Sequence, residues 1–555
     1  MTIAGRKTEG TIFGKVLFNG CIADATLLKK YTAYVPQTES FFGGASVYET
    51  LLFSVMIRRR ESTAYKLQLI EHVIDQMNLD KCRHALVGNH VIRGISGGEM
   101  KRLALAVALL AADARAMFID EPTSGLDSSM ASDVMNALQR LQHEDGRTII
   151  LTIHQPSIAI YKAFDKLMLL SGGHLVFFGG ANNSLEFFST QGFAYEAGVN
   201  IAEYLIDCIS SESTVEYYAN SQLCEENKKE VKELSAIVHA VDAECKTGPY
   251  AYSFFAELIV MLRYKDLRRW RRGIFWFTRL GLYSTLGALF SSFFFNQTYT
   301  PSGIINRNGV LFISVILPAF MAQVHVEEVK FEREVYTREL HDSLYRPLTY
   351  VTSKILAEVP MTILASITYS AILYFSIGLQ NTAAAFAFFC LGMFTNFTIA
   401  QLIGSTIAAS IPGDVGPAAI LPIFSTLYML VGGFFIRAST LHVVWKWLYT
   451  ISYIQWSWSC LMVNEYDKRE FYDHCDSEGT NELLDQLALP DSSRRILNLL
   501  LGTQACTAIT GESILRPFEL TSRNKFISLG YAACSIPVFF TFFYLGVSRV
   551  RHEKR

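Results

Sequence analysis

The chain has 555 residues, which is more than one hydrophobic core usually holds, so two or more domains are expected. Its 49 Lys and Arg nearly balance its 51 Asp and Glu, and the formal net charge of −2 argues against nucleic acid as a partner. Half of the residues are hydrophobic and 18% are charged, with the apolar residues concentrated in the second part of the chain.

The first part of the chain, residues 1–272, has the composition of a soluble region, and its pattern predicts strands that alternate with helices. An apolar helix is predicted at 103–110, after the glycine turn at Gly97 and Gly98. β-branched and aromatic residues predict four strands, at 11–18, 31–36, 116–119 and 148–153. This alternation indicates an α/β fold, in which ligands collect at the carboxyl ends of the strands.

Polar side chains follow three of these predicted strands, and they are Gln37, the pair Asp120 and Glu121, and His154. Asp120 is suited to hold Mg²⁺ through water, because Mg²⁺ prefers hard oxygen ligands and keeps several waters. Glu121 can polarise a water that attacks a γ-phosphate, and Gln37 and His154 can orient that water and the phosphate. Each residue alone is more commonly a surface or turn residue, so the prediction depends on their order along the chain.

A phosphate-binding helix start is predicted between the strands at 31–36 and 116–119. Ser96, Gly97 and Gly98 precede the apolar helix, and the free backbone N–H groups at a helix start bind anions. The small side chains also let a phosphate approach the backbone closely. By itself, a Ser-Gly-Gly sequence is usually a plain loop.

The second part of the chain is predicted to cross a membrane. Long stretches without Asp, Glu, Lys or Arg cover 280–306, 308–326, 359–413, 415–436 and 526–548. Since about 20 apolar residues cross the hydrocarbon layer, these stretches allow six helices. We place the six helices at 274–296, 308–327, 355–378, 383–410, 415–436 and 526–548. A single run of this kind could be a buried core helix, but several aromatic-rich runs together favour the membrane.

Basic residues predict the orientation of these helices. Three clusters lie before the first helix, between the second and third, and after the last, and the positive-inside rule places all three in the cytosol. The clusters are Arg268, Arg269, Arg271 and Arg272; Lys330, Arg333, Arg338 and Arg346; and Arg549, Arg551, Lys554 and Arg555. Both termini are then cytosolic, and the segment 437–525 is a loop on the outer side.

Several residues of the membrane part keep more than one interpretation. Cys475 and Cys506 of the outer loop can form a disulfide, although their pairing does not follow from sequence. Asn296 begins a glycosylation sequence so close to the membrane that its occupancy stays open. Glu358 is either paired or water-facing inside the membrane, or it extends to the inner boundary.

Small and aromatic residues near the outer side also have two interpretations. The sequence Gly-Gly-Phe-Phe at 432–435 either gates a cavity or packs as small residues do in membrane helices. An outer interfacial belt is favoured over a ligand site for the aromatic residues Trp445, Trp447, Tyr449, Tyr453, Trp456 and Trp458.

Three motifs of the soluble part together resemble those of ABC transporters. Residues 91–102, Val-Ile-Arg-Gly-Ile-Ser-Gly-Gly-Glu-Met-Lys-Arg, are similar to the signature motif. Residues 117–128, Met-Phe-Ile-Asp-Glu-Pro-Thr-Ser-Gly-Leu-Asp-Ser, resemble the Walker B motif and D-loop, and residues 152–157, Thr-Ile-His-Gln-Pro-Ser, resemble the switch histidine. The His-Gln-Pro-Ser continuation, with a nucleotide domain before the membrane domain, is similar to the G (White-type) subfamily of half-transporters. The resemblance also includes 4–7, 200–207, 331–334 and Tyr345, and it covers essentially the whole chain.

The resemblance implies a fold and a domain order. It implies an α/β nucleotide-binding domain of the P-loop NTPase class at 1–210, a cytosolic linker at 211–250 and an all-α, six-helix transmembrane domain at 251–555. Residues 252–272 resemble the connecting helix of the family. Residues 327–347 resemble the short coupling region that touches the nucleotide domain.

The resemblance also implies ATP and Mg²⁺ as cofactors. Glu121 would be the general base, and His154 would sense the γ-phosphate. Asp120 and the Q-loop residue Gln37 would form the metal site, with Asp120 binding Mg²⁺ through water. The remaining nucleotide-binding residues would be Ser96, Gly97, Gly98 and Glu99 of the signature motif and Asp127 of the D-loop.

One part of the family pattern is missing from the sequence. The Gly-Lys-Ser/Thr ending of the phosphate-binding Walker A loop, expected upstream of Gln37, occurs nowhere in the 555 residues. A sequence that starts at an internal methionine of a longer gene explains this, and so does a degenerate site that works with a complete partner. In either case the chain as written is expected to bind ATP poorly at its own site.

We predict an ATP-hydrolysing exporter subunit for a hydrophobic or amphipathic substrate, such as a lipid, sterol, pigment precursor or drug. It would be an integral membrane protein that contacts lipid and forms a homo- or heterodimer with another half-transporter, without binding nucleic acid. One alternative is a catalytically incomplete partner subunit that supplies only the signature motif. Another is a nucleotide-independent lipid-binding or channel-like membrane protein. The substrate, and whether the membrane is plasma or intracellular, do not follow from the sequence.

Overall fold

The computed structural model describes most of the chain in a series of segments. The described residues are 3–4, 11, 13–18, 21–22, 28, 31–88, 92–111, 115–195, 198–209, 213–236, 250–266, 273–413, 415–471 and 509–550. The chain divides into two compact units, one of Met1–Lys265 with Arg338–Arg346 and one of Asp266–Thr337 with Pro347–Arg555. Several residues with predicted roles lie outside the described residues, namely Cys475, Cys506, Arg268, Arg269, Arg271, Arg272, Arg551, Lys554 and Arg555.

A parallel sheet of three short strands forms one layer of the main core of the first unit. After the antiparallel pair β1 (Leu17–Phe18) and β2 (Cys21–Ile22), the sheet contains β3 (Thr32–Val35), β4 (Ala116–Asp120) and β5 (Thr148–Thr152), in that order. Thr32 pairs with Ala116, and Asp120 pairs with Thr152, so the three strands end at the same edge.

Four helices bury apolar side chains against this sheet. They are α1 (Val47–Arg58), α2 (Thr63–Gln76), α3 (Gly97–Leu109) and α4 (Ser128–Asp145). Their buried residues share one core with Val35 of β3 and with Met117 and Ile119 of β4. Helix α3 contributes an unbroken apolar run from Leu103 to Leu110, which its sequence pattern predicts.

The rest of the first unit has a smaller core around an antiparallel strand pair. The strands are β6 (Lys166–Ser171) and β7 (His174–Gly180). The helices of this smaller core are α5 (Ile158–Tyr161), α6 (Ser184–Ser189), α7 (Ile201–Ile209), α8 (Ser213–Ala219) and α9 (Gln222–Ala236), whereas α10 (Phe254–Met261) packs Val260 against the main core. Tyr161, Phe177 and Phe188 are buried in this second core. Helix α10 continues as a π-helical turn to Asp266, and the predicted connecting helix then runs beyond the described residues.

The structure changes two predicted elements of the first unit. The strand predicted at 11–18 is wrong in extent, because among the described residues 11 and 13–18 only Leu17–Phe18 is a strand, and Gly14 has a φ of +101°, which breaks extended structure. The helix predicted at 103–110 begins earlier, at Gly97, because Ser96 caps it. The other three predicted strands are confirmed with ends shifted by one residue.

The second unit is helical. Its helices are α11 (Gly273–Trp276), α12 (Leu282–Phe293), α13 (Pro301–Met321), α14 (Gln323–His341), α15 (Pro347–Ile377), α16 (Ala383–Ser410), α17 (Val415–Leu430), α18 (Val443–Ile451), α19 (Tyr453–Tyr466), α20 (Gly511–Leu515), α21 (Lys525–Ala533) and α22 (Ser535–Arg549). The last residues of α14, from Arg338, belong to the first unit. A two-residue antiparallel pair joins β8 (Glu470–Phe471) and β9 (Ile509–Thr510).

Four helical segments among the described residues are long and apolar enough to cross a membrane. They are Ser302–His341, Pro347–Ile377, Ala383–Ser410 and Lys525–Arg549. The predicted crossing at 415–436 contains the shorter helix Val415–Leu430, which does not reach about 20 residues. The predicted crossing at 274–296 contains Leu282–Phe293, which follows Gly273–Trp276 and the π-helical segment Phe277–Gly281 without a break, but this run is not among those four segments. Six crossings therefore remain a prediction.

The segment 437–525, predicted as an outer loop, contains two consecutive helices, α18 and α19. Trp445 and Trp447 are exposed, as in an interfacial belt, but Tyr453 and Trp458 are buried, so the belt does not extend to them. Helix α19 buries both apolar and polar side chains. Ser459, Asn464 and Glu465 of this helix form hydrogen bonds inside the unit, which is why these polar side chains can lie in a core.

Several buried charges of the second unit lie in ion pairs. Arg279 donates from Nε to a carboxylate oxygen of Glu358 at 3.1 Å, which confirms the paired interpretation of Glu358. Arg307 and Glu465 form another pair at 3.3 Å, and each side chain is only 2% exposed. Glu465 also accepts a hydrogen bond from the Tyr299 hydroxyl at 2.8 Å. A buried carboxylate needs several such donors, because water cannot solvate it.

We expect Glu465→Gln to destabilise the protein. The variant keeps the volume of the side chain but leaves the buried Arg307 guanidinium without its carboxylate. Breaking a buried ion pair in this way lowers the free energy of unfolding by about 3–5 kcal/mol. Denaturation of the purified protein in detergent measures this change. Glu512→Gln, at an exposed position of the same unit, is the control, and equal effects of the two variants would contradict the expectation.

Candidate functional site

The sheet edge where β3, β4 and β5 end collects several of the predicted site residues. Gln37 follows β3, Glu121 follows β4 and His154 follows β5. Because these strands are parallel neighbours in the order β3-β4-β5, their carboxyl ends lie side by side. The structure therefore brings together strand ends that are far apart in sequence.

Gln37 and Glu121 are in direct contact. The Nε2 of Gln37 donates a hydrogen bond to Oε2 of Glu121 at 2.7 Å. The backbone of Glu121 has a φ of +45°, a left-handed conformation that a non-glycine residue adopts only when its surroundings hold it. Its backbone N–H donates to the carbonyl of Thr152 at 3.2 Å and to the Thr152 hydroxyl at 3.1 Å, and these bonds hold the carboxylate at the sheet edge.

Asp120 is positioned by Thr152, a residue that the sequence analysis did not single out. The hydroxyl of Thr152 donates to Oδ1 of Asp120 at 2.5 Å, and the two residues are paired in the sheet register. Since Thr is common in strands, the residue type of Thr152 did not indicate a role in the site. Knowledge of the pairing of β4 with β5 would have identified it as the neighbour of Asp120.

His154 is at the same sheet edge but does not join the Gln37–Glu121 contact. Its side chain is exposed, and its imidazole forms no hydrogen bond with the described part of the chain. The next residue, Gln155, has a φ of +46°. The position of His154 after β5 leaves its imidazole accessible to a bound ligand.

The start of α3 is stabilised by a capping box. The Ser96 hydroxyl accepts the Glu99 backbone N–H at 3.3 Å, and the Glu99 carboxylate accepts the Ser96 backbone N–H at 2.8 Å. The Ser96 hydroxyl also donates to Glu99 at 2.9 Å. These hydrogen bonds, led by that from the Ser96 backbone, lower the pKa of Glu99. The Glu99 carboxylate therefore serves the helix cap, while Ser96 itself is exposed.

The two glycines of this helix start have different surroundings. Gly97 is exposed, and a Cβ added to it would lie 3.6 Å from Leu126, an ordinary contact. Gly98 is buried, and a Cβ there would lie 2.9 Å from the sulfur of Met130. Asp127 caps the neighbouring helix α4 by accepting the Met130 N–H at 2.8 Å. Gly98 thus permits close packing of α3 on α4, and Gly97 leaves the helix start open.

The residues at the sheet edge fit a Mg²⁺ site of few protein ligands. Asp120 and Gln37 both present oxygen atoms, and Mg²⁺ prefers such hard donors and keeps several waters. Within the described segments, no group of three His, Cys, Asp or Glu residues forms a cage for a metal ion. A cage is not required where phosphates and water complete the coordination.

Comparison with known proteins gives matches over both parts of the chain. The family described as ABC transporter matches residues 1–124, and the family described as ABC-2 type transporter matches residues 256–466. The broad substrate specificity ATP-binding cassette transporter ABCG2 of Rattus norvegicus is 31% identical over 508 residues, which are 84% of this chain and 76% of that protein.

Two further relatives are similar over most of their length. Protein white of Drosophila melanogaster is 29% identical over 477 residues, covering 82% of this chain and 68% of that protein. ABC transporter G family member 18 of Arabidopsis thaliana is 27% identical over 597 residues, covering 100% of this chain and 83% of that protein. The matched order, a nucleotide domain before a membrane domain, agrees with the order of the two units.

We expect Gly98→Ala to lower the stability of the protein more than Gly97→Ala. The added methyl group at Gly98 displaces Met130, and overpacking of this kind costs about 1–3 kcal/mol. The methyl group at Gly97 meets no close neighbour, so a change within about 0.5 kcal/mol is expected. Thermal denaturation of the two purified variants measures the difference. Equal melting temperatures would show that Met130 moves aside without cost.

Proposed function

The chain belongs to the G (White-type) subfamily of ABC half-transporters, and we propose that it is one half of a dimeric, ATP-driven exporter of a hydrophobic or amphipathic substrate. The contact between Gln37 and Glu121 at the sheet edge, at 2.7 Å, carries this proposal. A carboxylate that an amide holds at the ends of parallel strands is placed to act on a water beside a bound phosphate. Helices able to cross a membrane follow in the same chain, which is an integral membrane protein.

The proposed chemistry assigns one task to each residue of the sheet edge. Glu121 accepts a proton from the attacking water, and Gln37 holds its carboxylate through the hydrogen bond. Asp120 and Gln37 would hold Mg²⁺, which neutralises phosphate charge when it is bound. His154 is exposed and would contact the γ-phosphate of ATP. Asp127 and the signature residues Ser96 to Glu99 would contact nucleotide across a dimer interface.

We further propose the topology and domain bounds that the sequence predicts. The nucleotide-binding domain covers 1–210, the linker 211–250 and the transmembrane domain 251–555. Six crossings with both termini in the cytosol are the proposal for the membrane part. The substrate class, a lipid, sterol, pigment precursor or drug, is proposed from membership of this subfamily.

A second candidate function is that of a partner subunit without hydrolysis at its own site. The exposed start of α3 fits this candidate as well as the first, because Ser96 and Gly97 are open to a nucleotide held by another chain. In that case the chain contributes its signature motif to a heterodimer. This candidate needs Ser96 but does not need Glu121.

We expect Glu121→Gln to reduce ATP hydrolysis and transport by at least about a hundredfold, because the loss of a general base removes about 10²–10⁴-fold of the rate. Hydrolysis is measured with the protein in lipid nanodiscs, and transport with inside-out vesicles that are screened with candidate lipids and drugs. Glu186→Gln changes an exposed carboxylate of the same unit and serves as the control.

Two outcomes separate the candidate functions. Transport that continues at the unmutated rate in Glu121→Gln contradicts hydrolysis at this site. If activity appears only in a mixture with a complete half-transporter and is lost with Ser96→Arg, the partner-subunit function is supported instead.

A further inference from the structure

A buried ion pair links the start of α3 to the segment that carries Gln37. Lys101 lies on α3, and its Nζ is 2.7 Å from Oε1 of Glu39, with both side chains 8% exposed. The same Nζ donates a hydrogen bond to the backbone carbonyl of Gln37 at 2.5 Å. Lys101 therefore contacts both the main chain of Gln37 and the side chain of Glu39.

The burial of this pair makes it costly to break. Burial raises the pKa of Glu39, although the hydrogen bond and charge of Lys101 act in the opposite direction. Arg338 adds positive charge near the same carboxylate, and its guanidinium lies 4.3 Å from the ring centre of Phe41. Removal of Lys101 would leave Glu39 buried without its main partner.

The pair acts on the same residue that contacts Glu121. Gln37 is exposed and lies two residues beyond the end of β3, outside the hydrogen bonds of the sheet. Its side chain must hold a distance of 2.7 Å to Glu121. The bond from Lys101 fixes the Gln37 carbonyl, and thereby limits where the Gln37 amide can reach.

We propose that Lys101 is a positioning residue that holds Gln37 against Glu121, with Glu39 keeping the lysine in place. The proposal rests on the proposed function in one respect only, that Glu121 acts in hydrolysis. The positioning itself is a property of this chain and can be measured without activity.

Lys101→Met tests the proposal, with Lys66→Met as the matched control. Lys66 is a second buried lysine of the same unit, and its Nζ bonds the Tyr252 hydroxyl at 2.8 Å, away from Gln37. We expect hydrogen–deuterium exchange of the peptide 36–42, with the protein in nanodiscs, to be at least about tenfold faster in Lys101→Met. Lys66→Met should leave this exchange unchanged. Equal exchange in the unmutated protein and Lys101→Met overturns the proposal.

A kinetic cycle tests whether Lys101 acts through Gln37. We expect Lys101→Met to lower kcat for ATP about tenfold to a hundredfold, the range for losing a hydrogen bond to a charged group, with KM changed less than about threefold. In a Gln37→Ala background the same change should cost less than about twofold, whereas Lys66→Met should act equally in both backgrounds. Additive effects of Lys101→Met and Gln37→Ala overturn the proposal.

Two further measurements test the role of Glu39 and distinguish a failure of this proposal from a failure of the proposed function. Glu39→Gln preserves side-chain volume and should accelerate exchange at 36–42 in the same direction as Lys101→Met; unchanged exchange contradicts the role of Glu39. If the unmutated protein hydrolyses no ATP with or without a partner, the proposed function fails, and the exchange measurement alone decides the role of Lys101.

Discussion

The parallel register of three short strands is the constraint on which the candidate site depends. Gln37 and Glu121 are 84 residues apart in sequence, and they meet because β3 and β4 pair side by side and end together. The pairing of β4 with β5 adds Thr152, whose hydroxyl and carbonyl hold Asp120 and the strained backbone of Glu121. The sheet register thus brings the side chains of the site within hydrogen-bonding distance of one another, and these contacts do not depend on a bound ligand.

In the first turns of α3, the helical period separates the positions that pack inward from those that are exposed. Gly98 and Lys101 are three residues apart, so they share the face that packs inward, where Gly98 contacts α4 and Lys101 contacts the Gln37 segment. Ser96 precedes the helix and Gly97 lies outside that face, and both are exposed. A single helix start therefore has an exposed end, while its buried face contacts the segment that carries Gln37. The capping box formed by Ser96 and Glu99 fixes where α3 begins, and therefore the positions of both its exposed start and its buried face.

The sequence indicates a site residue when its type is uncommon at that position of a strand or helix. It does not indicate one whose type is common there. An acidic pair or an amide directly after a buried strand is distinctive, and Gln37, Asp120 and Glu121 were found in this way. Thr152 looks like any strand residue, and Lys101 looks like a charge on a solvated helix face, because burial is not visible in the sequence. The same limit affected Tyr453 and Trp458, whose aromatic type favoured an interfacial belt although the structure buries both in a helix. Only the pairing of distant segments supplies their partners.

Charges at the ends of apolar stretches do more than mark where a membrane helix stops. Arg307 ends one charge-free stretch, yet it is buried against Glu465 instead of facing water. Arg333 belongs to a cluster that predicts orientation, but it is also buried and donates to the carbonyl of Ala408 at 2.5 Å and of Ile411 at 3.2 Å, at the end of α16. A cation there satisfies terminal carbonyls and interacts favourably with the negative end of the helix dipole. Since a buried arginine with such partners has a structural reason to be where it is, the exposed basic residues carry the stronger evidence for orientation.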